Sequence, residues 1–82
     1  MSVYPNPAAD ELTIEVQGAP AGMEMTIEFY NLTGTLVQEC AFENSVFNKI
    51  SIKKLPQSIY LYKIMNISGI LKSDRIVIIR GK

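Results

Sequence analysis

The chain has 82 residues, 48% of them apolar and 20% charged, with a formal net charge of zero. That length suits one domain, and that balance marks a folding chain, not a disordered one. There is no histidine and a single cysteine, Cys40, which excludes the usual serine triad, most transition-metal sites and an internal disulfide.

A domain this small buries only about 60% of the surface its unfolded chain exposes, so its core must be efficient. Cys40 fits that demand as a small buried apolar residue. No apolar run approaches the ~20 residues that a membrane-spanning helix needs, so no membrane insertion is expected. Residues 1–20 carry no Lys or Arg and no continuous apolar stretch, unlike a secretory leader, so export would depend on another segment. Charge is segregated. Every basic residue lies at or after Lys49, and among the acids only Asp74 does. Antiparallel pairing of the two halves would set acids beside bases, worth ~0.2–1 kcal/mol per pair. The alternative is a basic face that meets an acidic partner.

In chain order, Val3-Tyr4-Pro5-Asn6-Pro7 comes first. Two prolines with one spacer fix φ twice and predict a stiff, extended lead-in, with Tyr4 packing on the domain that follows. Residues 11–17 alternate strictly, with Leu12, Ile14 and Val16 on one face, which predicts a half-buried strand. Gly18-Ala19-Pro20-Ala21-Gly22 reads as a loop. Residues 25–30 alternate again, with Met25, Ile27 and Phe29 inward. Asn31-Leu32-Thr33-Gly34 is a turn in which Gly34 takes positive φ, leading by a tight hairpin into residues 35–42. Alternation is poor in that strand, which predicts a bulge or an edge position.

After a turn at Glu43-Asn44, Val46, Asn48, Ile50 and Ile52 share the inner face, with Phe47 and Lys49 outward. Leu55-Pro56-Gln57-Ser58 is a corner, because Pro56 has no N–H for a ladder. Residues 58–65 are rich in β-branched and aromatic residues, with Tyr60, Tyr62 and Ile64 inward. Asn66-Ile67-Ser68-Gly69 is the last hairpin turn, and a final strand runs from about Ile70 to Arg80. No helical period persists. Short strands with turns every ~8–12 residues predict an all-β, immunoglobulin-like antiparallel sandwich of about seven strands.

Chemistry finds little footing. A cysteine without a histidine is not a credible nucleophile. Glu15 and Glu28 fall on solvent faces, without the enclosed cleft that a glycosidase dyad needs. No glycine-rich run precedes a helix, so no phosphate loop is present. Lys53 and Lys54 beside two core tyrosines, in a neutral chain, do not make a nucleic-acid surface. No cofactor or metal is expected. Asn31-Leu32-Thr33 and Asn66-Ile67-Ser68 match the N-glycosylation pattern, but each is also explained as turn chemistry.

Taken in order, the blocks resemble a family. Val3 to Ala8 followed by Leu12-Thr13-Ile14 resembles the start of the C-terminal sorting domains of the type IX secretion system. Ile27 through Val37, including Gly34, is similar to that family's middle motif. Ile50 through Leu55-Pro56, with Ile59-Tyr60-Leu61-Tyr62, is similar to its third block. Ser68-Gly69 and Lys72 to Arg80 resemble its closing hairpin and terminal strand. The family's usual glycine before the Ile-Tyr pair is Ser58 here, and its Lys-Lys before the terminal apolar run is Asp74-Arg75.

The resemblance implies one sorting domain over residues 1–82, with 1–8 as lead-in and 9–82 as sandwich. It implies a non-catalytic address on an upstream cargo domain. A translocon receptor reads that address for passage over the outer membrane to the cell surface. A sortase-like cysteine protease then removes it. Tyr4, Pro5, Asn6, Pro7, Gly34, Leu55, Tyr60 and Gly69 would be the structural motif positions.

Lys72, Arg75, Ile76, Val77, Ile78, Ile79 and Arg80 form the expected recognition element. The run Ile76-Val77-Ile78-Ile79 is apolar on both faces and could be completed by a partner strand. The competing expectation is that both faces are covered within the domain or in a homodimer. An alternative function is an adhesive or carbohydrate-binding module, for which Phe47 is the one outward aromatic. A small enzyme lacks any base–nucleophile pair.

Overall fold

Seven strands form two antiparallel sheets in the computed structural model, which describes residues 1–18 and 22–81. β1 (Ser2–Tyr4), β2 (Glu11–Glu15) and β5 (Phe47–Ser51) form one sheet, in the order β1-β2-β5. β3 (Glu24–Tyr30), β4 (Leu36–Glu43), β6 (Ser58–Asn66) and β7 (Gly69–Ile78) form the other, in the order β4-β3-β6-β7. With β1, β2 and β5 as strands A, B and E, and β4, β3, β6 and β7 as C′, C, F and G, the arrangement is immunoglobulin-like.

Period-two alternation builds the core. Leu12, Ile14, Met25, Ile27, Phe29, Ile50, Ile52, Tyr60, Tyr62, Ile64, Ile76 and Ile78 are all buried, as their strand positions predict. Each such side chain gains about 1.5–3 kcal/mol on leaving water. The Tyr60 hydroxyl donates to the Pro56 carbonyl at 2.6 Å, four residues upstream in the β5–β6 corner. That is the tyrosine-corner contact of immunoglobulin-like sandwiches. Buried Asn48 is satisfied: its amide donates to the Ile14 and Ser45 carbonyls, and its oxygen accepts from the Ser45 N–H.

β4 is both an edge strand and bulged. Phe29 faces Gln38 while Tyr30 faces Leu36, which leaves Val37 as the extra residue. Gly34 in the β3–β4 turn has φ +89°, and the Asn31 side chain accepts from the Thr33 and Thr35 N–H groups.

Several expectations are corrected. Residues 1–8 are not an extended lead-in outside the sandwich. Ser2–Tyr4 pairs with β2, the Tyr4-Pro5 and Asn6-Pro7 bonds are cis, and buried Ala8 bridges to Ile78 in the opposite sheet. Val3 packs against the core, and Tyr4 lies on the sandwich as expected, on the sheet's outer side, its hydroxyl donating to Glu15 Oε1 at 3.2 Å. Val46 is 54% exposed: its carbonyl accepts from the Val16 N–H at 2.9 Å, but it lies just beyond β5 at the end of the sheet, where its side chain stays in water. Cys40 is only half-buried, since an edge strand covers its inner face incompletely. The middle of the expected 18–22 loop, Ala19-Pro20-Ala21, lies outside the described residues.

Charge segregation has a partial explanation. Acidic β3 lies beside β6, with Glu28 opposite Lys63, and acidic β2 lies beside β5, which carries Lys49. Yet among the described residues the ion pair formed is Arg80 with Asp10, between the two ends of the chain.

Candidate recognition strand

β7 is the last strand of its sheet, paired with β6 on one side, and it is reached by the two-residue turn Ile67-Ser68. Gly69 has φ +130°, a backbone state that residues with a Cβ rarely adopt. A second bulge sits just beyond, where Ile64 faces Lys72 but Met65 faces Ile70, leaving Leu71 unpaired. The strand ends at Ile78, two residues before the expected limit, because Ile79 turns its N–H to the Ala8 carbonyl.

The expected open edge at residues 75–79 is occupied by the chain itself. Asn6 acts as a strand residue through its side chain: Oδ1 accepts from the Val77 N–H at 3.1 Å, and Nδ2 donates to the Arg75 carbonyl at 3.4 Å. The Ala8 N–H donates to the Val77 carbonyl at 2.8 Å. The Arg75 N–H donates to Oδ1 of Asp74 at 2.8 Å. A partner strand entering along this stretch must therefore displace Asn6 and Ala8.

The side chains divide in the same way. Ile76 and Ile78 are buried in the core, and Val77 is half-buried. Arg80 is a structural tie. Its Nε donates to Asp10 at 2.8 Å, and its other two nitrogens donate to the Leu55 and Ile52 carbonyls at 2.6 and 2.8 Å. Its N–H donates to Gln57 Oε1. Arg75 and Ile79 are exposed and Lys72 is half-exposed. Opposite Asp74, buried Tyr62 has its pKa pushed up to about 12, first by burial and then by the Asp74 carboxylate.

The other motif positions lie at crossings, corners and turns of the fold. Tyr4, Pro5, Asn6 and Pro7 carry the chain from one sheet to the edge of the other. Leu55 is buried beneath the corner held by Tyr60, and Gly34 and Gly69 make the two hairpin turns. The roles of Asn6, Asp74 and Arg80 as backbone caps are not visible in periodicity. The available signal is that neither Pro5 nor Pro7 has an N–H, so polar contacts there fall to the Asn6 side chain.

An immunoglobulin-like sandwich hosts many unrelated functions, so the fold by itself assigns none. The description of secretion system C-terminal sorting domains matches residues 2–79, and the chain belongs to that family of type IX sorting signals. No curated protein and no solved structure matches it. Membership carries the coarse function: the domain is an address for export through the type IX system to the cell surface or beyond.

Proposed function

We propose that the folded sandwich is read without any chemistry of its own, through the parts of the terminal strand left outside the core: Lys72, Arg75 and Ile79. The observation that supports this reading is the division along β7. Ile76 and Ile78 anchor the strand internally, while Arg75 and the 52%-exposed Ile79 face outward at a sheet edge. A receptor of the translocon would engage this edge, by side-chain contact or by displacing Asn6 and Ala8 in strand addition. A cargo domain upstream is the passenger. After passage, a sortase-like cysteine protease removes the domain and leaves the cargo at the surface or outside the cell.

The test is a reporter enzyme fused ahead of the domain in a type IX-competent host. Lys72→Glu, Arg75→Glu and Ile79→Asp together alter the exposed elements and spare the buried ones. The reporter is expected to stay in the periplasm while circular dichroism of the purified variant remains β-type. Unchanged surface display would overturn the reading. Mass spectrometry of the displayed reporter tests removal, with a product lacking the whole domain expected.

The adhesive alternative draws on Phe47, 58% exposed on the outer face of β5. Glycan-array binding lost on Phe47→Ala would carry it.

A further inference from the structure

The outer face of the four-stranded sheet is a feature that the sorting reading touches only at Arg75, on its β7 edge. Outward Leu61 of β6 lies opposite both Tyr30 of β3 and Arg75 of β7, and Tyr30 lies opposite Leu36 of β4. Ile59 faces Val77 in the next row. Leu36, Val37, Ile59 and Leu61 are 46%, 40%, 40% and 44% exposed. An antiparallel sheet with one face on the core normally offers water a polar second face. Here Leu36, Tyr30 and Leu61 make an apolar row over three strands, continued on β7 by the stem of Arg75, and such a patch marks a contact surface.

Charge on the same face says what covers it. In the adjoining row Glu39, Glu28 and Lys63 follow one another across β4, β3 and β6. The acids occupy the β4/β3 half, and the cations Lys63 and Arg75 occupy the β6/β7 half. Within the chain, Glu28 accepts the Tyr30 hydroxyl and Lys63 sits 5.1 Å from the Tyr30 ring centroid. The ion pair among the described residues lies elsewhere, between Arg80 and Asp10.

We propose that this face is a self-association surface, covered by a second copy of the chain packed sheet to sheet. A two-fold axis along the strands, between β3 and β6, lays each acidic half over the other copy's basic half. Glu28 then meets Lys63, Tyr30 meets Leu61, and Leu36 lies over the stem of Arg75, in an isologous contact. The zero net charge adds no long-range repulsion between copies. A cargo domain is the poorer occupant, because β1 lies in the opposite sheet and a domain joined ahead of it starts from the other side. This inference shares Arg75 with the translocon reading, and its test, made on Leu61, Glu28 and Lys63, does not depend on that reading.

Sedimentation velocity of the 82-residue chain, from micromolar to about 1 mM, reads the equilibrium. A concentration-dependent dimer is expected. Leu61→Glu is expected to weaken it at least about tenfold. Glu28→Lys alone sets like charges against each other and weakens it as well; Glu28→Lys with Lys63→Glu restores it. Both charge variants lie on the outer face, so they keep the test open should Leu61→Glu fail to fold. A monomer at every concentration would overturn the proposal. So would a dimer indifferent to these changes, or one that the double charge swap fails to restore.

Discussion

Asn6 and Val77, 71 positions apart, meet as strand neighbours, the Val77 N–H donating to the Asn6 side-chain oxygen at 3.1 Å. Asn6→Ala removes that acceptor and the companion donor to Arg75. The expected cost is about 1–2 kcal/mol, the range for hydrogen bonds lost at a partly covered backbone. Hydrogen exchange is the sharper readout. The Val77 amide should lose protection while the core amides of β3 keep theirs, and unchanged Val77 exchange would remove Asn6 from the edge.

Arg80 ties the last turn of chain to Asp10 and to two carbonyls of the 52–55 corner. Arg80→Ala leaves the carbonyls without their donors, and a loss of about 1–3 kcal/mol is expected in urea unfolding. Asp10→Asn should cost less, about 0.2–1 kcal/mol, because the Asp10 side chain is 57% exposed and its ion pair is screened. Arg80→Lys should resemble the alanine variant more than the wild type, since one ammonium cannot span the three acceptors. Equal losses for Asp10→Asn and Arg80→Ala would mean that the carbonyl contacts are idle.

The tyrosine corner predicts a loss of about 0.5–1.5 kcal/mol for Tyr60→Phe, with an unchanged denaturant slope. The ring stays in the core and only the bond to Pro56 disappears. A fall in the slope would show instead that the corner limits how compact the native state is.

Tyr62 sets an alkaline limit. Its pKa rises from 10.0 to about 12 in the folded chain, so the native state holds this proton where the unfolded chain has released it. Stability from this group is complete below pH 10.0 and is lost as pH rises toward about 12. Stability curves across that range should fall less steeply in Tyr62→Phe than in the wild type. Identical curves would assign the alkaline loss to other groups.

Much of the architecture was legible in the residues because strand burial has a strict period. Leu12/Ile14, Met25/Ile27/Phe29 and Tyr60/Tyr62/Ile64 each declare an inner face, and all are buried. Turn chemistry was equally local: Gly34 takes the positive φ that its turn requires. The weak alternation of residues 35–42 pointed to a bulge or an edge, and β4 has both. Val46 shows where the method ends. Its parity is right and its carbonyl still accepts from the Val16 N–H, but at the end of the sheet its side chain stays exposed.

The terminal strand was legible as a strand and not as a surface. Its apolar run looked open on two sides, yet Ile76 and Ile78 are core, Arg80 is a tie, and the backbone between is capped by Asn6 and Ala8. None of this is a local property. The partners lie between 23 and 71 positions away, and the spacing of residues carries no information about which distant group supplies a donor or acceptor.

By itself, then, the sequence determined an all-β chain, the inner face of each central strand, the positions of the turns, and a family resemblance that spans the chain. Those follow from steric limits on φ and from a two-residue period acting between near neighbours. Only the tertiary structure decided that the two ends of the chain close the same sheet edge, and which residues of the last strand remain outside. Both depend on backbone groups finding partners across the fold, where burial makes an unmade hydrogen bond costly.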